Sequence, residues 1–368
     1  MTESTKKAGA NTRSEILSEP ETWKKCLAEL DAKGELRKLQ TGLSLQEREW
    51  IFVGCGSSYY LALIAAATWS LLTGEAARAI PASEILLFPN LLPRDSRTAL
   101  ISRSGRTSEI IQAGKYLMEQ NRMAAIAITC ERGAPIEHLA RQTIVLTEAD
   151  EKSTVMTRSF TSMLLVLQML AAEFGGQREV ASGICTLADE MEPHMQEIDS
   201  IICALAKAHV FADYVFLGQG PFHGVAQEAM LKVKEMSCSY AQCFHTLEFR
   251  HGPKAIVSPE TLVTFFLSES GFEPEVCVLQ EIKELGAVTL VITNAANAAV
   301  RESSDYLIEL SLDVPEVARA AGALIPGQLL GFHTGIRKGL DPDNPRNLSR
   351  VVMLEGSTAH GDIRRDAH

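Results

Sequence analysis

The feature that most limits the fold is a strand–turn–helix alternation that the chain runs through twice. Trp50–Val53 is a short apolar run ending in Gly54-Cys55-Gly56-Ser57-Ser58, and Tyr59–Leu72 then reads as a helix. Thr98–Ile101 ends in Ser102-Arg103-Ser104-Gly105, with a helix predicted over Ser108–Asn121. Ala124–Thr129 reads as a strand and Ser159–Phe174 as a long apolar helix. Alternation of this kind predicts parallel strands covered by helices on both faces. The second pass is visible as self-similarity. Trp50-Ile-Phe-Val-Gly-Cys-Gly aligns with Tyr214-Val-Phe-Leu-Gly-Gln-Gly at an offset of 164, and Ala124–Thr129 aligns with Val288–Thr293 at the same offset. Ser102-x-Ser104-Gly105 aligns with Ser268-x-Ser270-Gly271 at 166. Matches in order at nearly one offset predict a tandem duplication of an α/β unit, each a three-layer α/β/α arrangement on a parallel sheet.

The expected organisation is a tail and helical leader at 1–43, a first unit at 44–180, a helical connector at 181–206, a second unit at 207–346 and a C-terminal tail at 347–368. The first 13 residues read as a flexible tail, and Ser14–Leu43 as helical, with Pro20 near a helix start and Trp23, Cys26, Leu27 and Leu30 at helical spacing. Gly175–Ala206 is polar enough to read as a connector.

Charge narrows the partners. Lys and Arg total 35 against 46 Asp and Glu, a net −11. Such a chain has no broad basic footprint for nucleic acid or an anionic membrane. The longest apolar candidate, Leu61–Leu72, falls short of the ~18–20 residues that a bilayer span needs. Met1–Arg13 is polar without an apolar signal core. The eight cysteines are scattered with no C-x-x-C, as expected of reduced cytoplasmic thiols.

Several stretches could carry chemistry. The Gly54–Ser58 turn joins strand to helix, so free N–H groups and the hydroxyls of Ser57 and Ser58 meet the positive end of a helix dipole. A tight turn with a serine cap would read the same way, and without a third glycine a dinucleotide site gains little support. Ser102–Thr107 repeats the architecture with Ser102, Ser104 and Thr107 as hydroxyl donors and Arg103 and Arg106 as charge, a composition suited to a phosphomonoester. Two such turns in one unit favour phosphate over a merely solvated loop. Glu151–Thr161 is a third hydroxyl cluster, in which Thr157 or Ser159 reads as a helix cap. On the next candidate helix Glu228, Lys232 and Glu235 stand at i, i+4 and i+7, one face, flanked by apolar residues that predict burial. His251 lies in Glu248-Phe249-Arg250-His251-Gly252-Pro253, a turn where an acid–base group fits. No histidine, His223 and His245 included, has metal-ligand spacing, so no metal is expected. Cys55 beside a helix start reads as a packed thiol rather than a nucleophile.

These motifs resemble the sugar-isomerase (SIS) domain family in its tandem form. Ser102–Thr107 is similar to that family's S-x-S-G-x-T phosphate loop, Glu228–Glu235 to its E-x-x-x-K-x-x-E helix, and Phe249–Lys254 to its histidine loop. Glu15-Ile16-x-x-Glu19-Pro20 resembles the leader before the first domain. Similar groups are the isomerase half of glutamine–fructose-6-phosphate aminotransferase, the tagatose-6-phosphate ketose/aldose isomerases with the amino-sugar-phosphate deaminases, and the fructosamine-6-phosphate deglycases. The resemblance implies two flavodoxin-like domains and a homodimer. It implies a sugar phosphate cradled by Ser102, Arg103, Ser104 and Thr107 with Ser57 and Ser58 near the sugar. It further implies Glu235 as the base between C1 and C2, His251 as a ring-opening residue supplied by the neighbouring subunit, Glu228 and Lys232 as support, and no cofactor. Two departures bear on the reaction. Arg350 stands at the substrate where the synthase group has a catalytic lysine, and arginine cannot form an imine with a ketose. Met156 stands where that group has a ligand-binding serine. The synthase's glutaminase domain is also expected to be missing. The expected activity is a phosphosugar isomerase or deaminase. A deglycase, a synthase-like isomerase without glutaminase, and a phosphosugar-binding regulator are the alternatives.

Overall fold

The computed structural model describes residues 7–34 and 49–352, so the expected leader residues 35–43 and tail residues 353–368 lie outside the described residues. Two helices lead, α1 (Ala10–Leu17) and α2 (Glu19–Lys33). The first unit follows as β1 (Trp50–Gly54), α3 (Ser57–Thr73), β2 (Ala77–Pro81), β3 (Arg97–Ile101), α4 (Ser108–Glu119), β4 (Ala124–Thr129), β5 (Ala140–Val145) and α5 (Arg158–Phe174). Helices α6 (Arg178–Met191) and α7 (Met195–Ala208) then lead to the second unit. That unit comprises β6 (Asp213–Gly218), α8 (Pro221–Ser237), β7 (Ala241–His245), β8 (Thr261–Phe266), α9 (Phe272–Glu284), β9 (Val288–Thr293), β10 (Tyr306–Glu309) and α10 (Ala320–Arg337), with a short helix at Ala298–Ser303 between β9 and β10 and short 3-10 turns elsewhere.

Both sheets are wholly parallel, in the orders β2-β1-β3-β4-β5 and β10-β9-β8-β6-β7, which is one order read from opposite edges. Four second-unit elements, α8, β7, β8 and β9, each begin 164 residues after α3, β2, β3 and β4. The strands β1, β4 and β8 are buried along their whole length, as helix-covered parallel strands must be. The turns after β1 and β6 require glycine. A Cβ on Gly54 would lie 2.2 Å from the Ser58 carbonyl oxygen, and one on Gly218 2.4 Å from that of Phe222.

Helix α8 is wedged between neighbours. Gly224 lets it approach α3, where a Cβ would lie 2.4 Å from Ile64 Cγ1. On its other side Gly327, Gly331 and Gly335 of α10, one turn apart, lie so close that a Cβ on Gly331 would be 2.6 Å from the Lys232 carbonyl oxygen. This double contact is why Glu228 and Lys232 have no exposed surface.

Two expectations are corrected. The first 13 residues are not all a flexible tail: α1 begins at Ala10 because carboxylates from the far end of the chain accept its first N–H groups. Asp341 Oδ1 takes the Gly9 N–H at 2.8 Å, and Asp343 takes those of Asn11 at 3.1 Å and Thr12 at 2.8 Å. Nor are α6 and α7 a solvated connector. Ile184, Leu187, Met191, Ile198 and Ile202 lie in the main core together with residues of both units. No helix among the described residues is long and apolar enough to cross a membrane.

Candidate active site

Three loops lie at the carboxyl ends of the first unit's strands, and the first of them meets the C-terminal half of α8. In parallel α/β sheets this edge is where helix N-termini and free N–H groups converge. The first loop turns at Gly56, with φ 55°, and buries Ser57 and Ser58 at the start of α3. Ser57 Oγ accepts from Lys232 Nζ at 3.1 Å, while Ser58 Oγ lies 3.9 Å from Met156 Sδ. The second loop, Ser102–Thr107, leaves the central strand β3. Ser102 Oγ lies 3.1 Å from Thr107 Oγ1 and accepts the Gly105 N–H at 3.1 Å, and Ser104 Oγ accepts the Arg106 N–H at 3.2 Å. Gly105, at φ 60°, has room for no side chain, since a Cβ would meet that of Ala134 at 2.6 Å. The result is a compact cup of hydroxyl and amide groups, and no carboxylate is hydrogen-bonded to its serines or threonine among the described contacts.

The charged residues expected in the cup do not point there. Arg103 is buried, and its guanidinium lies 3.4 Å from Glu151 Oε1 and donates to the carbonyls of Thr154 at 2.9 Å, Val155 at 3.3 Å and Arg350 at 3.0 Å. With its donors taken, Arg103 braces the third loop and leaves the backbone and hydroxyls to form the cup. Arg350 is corrected likewise: its side chain pairs with Asp150, and its carbonyl serves Arg103. Arg106 pairs with Glu131 at the surface, 2.8 Å apart.

The third loop is organised by carboxylates that the sequence left without a role. Glu151 is buried and accepts the Thr157 N–H at 3.0 Å, Thr157 Oγ1 at 2.7 Å and the Ser159 hydroxyl. Burial raises its pKa, opposed by Arg103, Ser159 and Thr157. Glu15 of α1 accepts the N–H groups of Lys152 at 2.5 Å and Ser153 at 3.3 Å. Glu19 of α2 accepts from Thr161 Oγ1 at 2.9 Å. The leader is thereby tied to the site. Its Glu-x-x-x-Glu spacing on either side of Ser18 was the available signal, but nothing local names the partners, more than 130 residues away.

Facing these loops is the charged stripe of α8. Lys232 Nζ lies 2.5 Å from Glu235 Oε2 and 3.0 Å from Glu228 Oε1, the second contact off the line of a hydrogen bond. Burial alone would lower the lysine's pKa, but the two carboxylates raise it, so the ammonium is held charged. Burial lifts Glu228 to about 7 against the opposing pull of Lys232. Glu235 differs in being 18% exposed. The site therefore holds a partly open carboxylate, oriented by a buried ammonium, with a second carboxyl behind it and a cup for an anion nearby. Cys55, at the edge of the first loop, is lifted by burial to about 11, which disfavours its thiolate.

His251 is not brought to this cluster within the chain. β7 pairs with β6 so that His245 lies opposite Gly218, and His245 stacks on His223, the third residue of α8, with ring centroids 3.6 Å apart. The His251 loop thus leaves the end of the sheet beside the N-terminus of α8. Glu235 lies at the other end of that helix, about 20 Å away along the axis at ~1.5 Å per residue. His251 itself is exposed, and its N–H donates to the Glu248 carbonyl at 3.0 Å.

Comparison with known proteins bears on the family and the fold. The SIS domain pattern matches residues 45–173 and 212–325. The glutamine–fructose-6-phosphate aminotransferase of Methanothermobacter thermautotrophicus is 26% identical over 335 residues, 90% of this chain and 54% of that protein. The chain spans about half the length of the curated relatives it matches. Among solved structures, a glucosamine-6-phosphate deaminase from Thermotoga maritima is 30% identical with a TM-score of 0.71, covering 92% of this chain and 100% of that one. The tagatose-6-phosphate ketose/aldose isomerase of Escherichia coli shares the fold, with a TM-score of 0.82 at 22% identity over 95% of this chain and 98% of its own.

Proposed function

The chain belongs to the SIS domain family, and on that footing we propose that it is an enzyme that moves a proton between C1 and C2 of a hexose or hexosamine 6-phosphate. The observation that carries this reading is the buried Glu228–Lys232–Glu235 cluster, which reaches Ser57 at the start of α3, in the first of the three strand-end loops that include the hydroxyl cup. A regulator that only binds phosphosugar would need the cup alone. Two carboxylates around one largely buried ammonium make sense as an acid–base device, because burying charge costs stability and groups with perturbed pKa values cluster at functional sites.

The 6-phosphate would sit in the cup, taking hydroxyls of Ser102, Ser104 and Thr107 and backbone N–H groups at the helix start. Glu235 would take the proton from C2 of the open-chain aldose, giving an enediol or enolamine, and return it at C1. Lys232 fixes the orientation of Glu235 and of Ser57. With Arg350 in place of the family's lysine and Lys232 held by three partners, proton transfer needs no imine to the protein. For an amino sugar the proton shift leaves an imine at C2, which water hydrolyses, forming the ketose carbonyl and releasing ammonia. Likeness to the Thermotoga maritima deaminase at 30% identity favours an amino sugar.

The placement of His251 supports a second copy as partner. A ring-opening group some 20 Å from the base on one chain can serve the base only from another chain, so the reading includes a homodimer with shared sites.

The test is a panel of hexose and hexosamine 6-phosphates, scoring ketose and ammonia separately and following deuterium uptake from solvent at C2. Turnover of at least one member with C2 exchange is expected. Glu235→Gln should abolish turnover and exchange while phosphosugar still binds. Exchange at the wild-type rate in that variant would assign the base elsewhere, with Glu228 the next to examine.

A further inference from the structure

The duplicated cradle in the second unit is closed. Ser268-Glu269-Ser270-Gly271 leaves β8, the counterpart of β3, but α9 begins at Phe272, directly after the glycine, whereas α4 begins three residues after Gly105. The Ser-x-Ser-Gly motif sits two residues closer to the helix, so no counterpart of Arg106-Thr107 separates its glycine from α9. The donors that remain are occupied by the chain's own carboxylates. Glu316 accepts the N–H of Glu269 at 2.6 Å and the hydroxyl of Ser270 at 2.7 Å. Glu275 accepts the Ser268 N–H at 3.2 Å and its hydroxyl. A cavity beside the loop measures ≈ 10 Å³, room for at most one water molecule, and an open pocket of ≈ 410 Å³ lies against Glu269, Phe272, Thr293 and Asn297, so the closure consists in the occupied donors.

What this closed cradle touches is the histidine loop. The second oxygen of Glu275, a fully buried side chain, accepts from Thr246 Oγ1 at 3.0 Å, and Thr246 is the first residue after β7. Further along the same helix Glu281 pairs with Arg250 at 2.7 Å and contacts Lys254 at 3.5 Å. Helix α9 therefore grips the 246–254 segment before, beside and after His251, whose own ring is exposed.

We propose that the second unit's cradle has exchanged anion binding for the mounting of His251, with Glu275 and Glu281 as positioning residues for the reaction. This rests on the reading that His251 acts in catalysis. A loop held from one rigid helix presents its histidine to the neighbouring copy in a fixed pose, and small misplacements of a reacting group are costly.

The experiment measures kcat, KM and thermal midpoint of the full-length protein for His251→Ala, Glu275→Gln, Glu281→Ala, and the pair Arg250→Glu and Glu281→Arg, singly and together. Glu281 lies at the surface, so its removal leaves the fold intact. Glu281→Ala is expected to lower kcat by about tenfold to a hundredfold with KM and midpoint unchanged, and Glu275→Gln to do the same. The double charge reversal should recover most of the activity that either single reversal loses. Wild-type kcat in Glu281→Ala and Glu275→Gln, with His251→Ala inactive, overturns the mount and leaves the role of His251 standing. Loss of activity that follows a lowered midpoint, without recovery in the charge reversal, also overturns it. Full activity in His251→Ala instead removes the reading on which the mount rests.

Discussion

Replacing Glu228 by Gln tests whether the buried stripe is electrostatically strained. Burial lifts this carboxyl from 4.5 to about 7, and at ~1.36 kcal/mol per unit that corresponds to about 3 kcal/mol. The sign follows from linkage. The folded state binds the proton more tightly than the unfolded chain, so Glu228 contributes stability fully below about pH 4.5. That contribution declines as pH rises and is lost above about pH 7. Glutamine has the size of a protonated glutamate and no charge to desolvate, and Lys232 keeps Glu235 and Ser57 as partners. The variant should exceed the wild type by under about 1 kcal/mol at pH 5 and by about 3 kcal/mol at pH 8. Urea unfolding at pH 5, 6, 7 and 8 measures this as the difference between the two proteins, which cancels the other titrating groups. A difference that does not change with pH, or a wild type more stable at pH 8, refutes the argument. It would mean that Lys232 stabilises ionised Glu228 more than burial destabilises it.

Ser104→Ala and Thr107→Ala should each weaken hexose 6-phosphate binding by ~1.5–3 kcal/mol, the cost of losing a hydrogen bond to a charged group; unchanged affinities by calorimetry would remove the cup from the site. Mixing inactive Glu235→Gln with inactive His251→Ala should restore activity, because a hybrid dimer has one site with both native residues. Hybrids confirmed by mass that stay inactive rule out the shared site. Asp343→Ala removes the acceptor of the Asn11 and Thr12 N–H groups and should speed amide exchange across Ala10–Leu17, at a cost of ~1–3 kcal/mol; wild-type exchange there would mean that packing alone fixes α1.

The fold was legible wherever periodicity and repeat spoke together. Ala124–Thr129 and Val288–Thr293 read as strands with the bounds they have. The strands β2, β5, β7 and β10 were not individually legible. They are short and partly exposed, and β2 carries the exposed Arg78, so they lack the unbroken apolar run of the central strands. In the site, Glu228, Lys232 and Glu235 could be grouped because one helix face groups them. Lys232 with Ser57, 175 residues apart, could not, nor could the commitment of Arg103 to Glu151. These depend on how the helices pack.

The duplication also explains how one site arises from two similar halves. At an offset of 164, the positions of Glu228, Lys232 and Glu235 correspond in α3 to Ile64, Thr68 and Leu71, which carry no charge. Conversely, the second unit's hydroxyl loop is sealed by Glu275 and Glu316. The two units thus differ in complementary ways: the open hydroxyl cup is in the first, the charged stripe in the second. Because Gly224 of α8 packs beside Ile64 while Lys232 reaches Ser57, α3 and α8 run antiparallel. Antiparallel packing brings the end of the second unit's helix to the start of the first unit's. The same arrangement sends the second unit's own loops, and His251 with them, to the opposite end of α8. A fold that joins the two halves at one end therefore places the histidine about 20 Å along α8 from Glu235. The shift in offset from 164 to 166 at Ser268 was the visible trace of this difference, since it displaces the Ser-x-Ser-Gly motif by two residues toward the helix, where Glu275 and Glu316 take its donors.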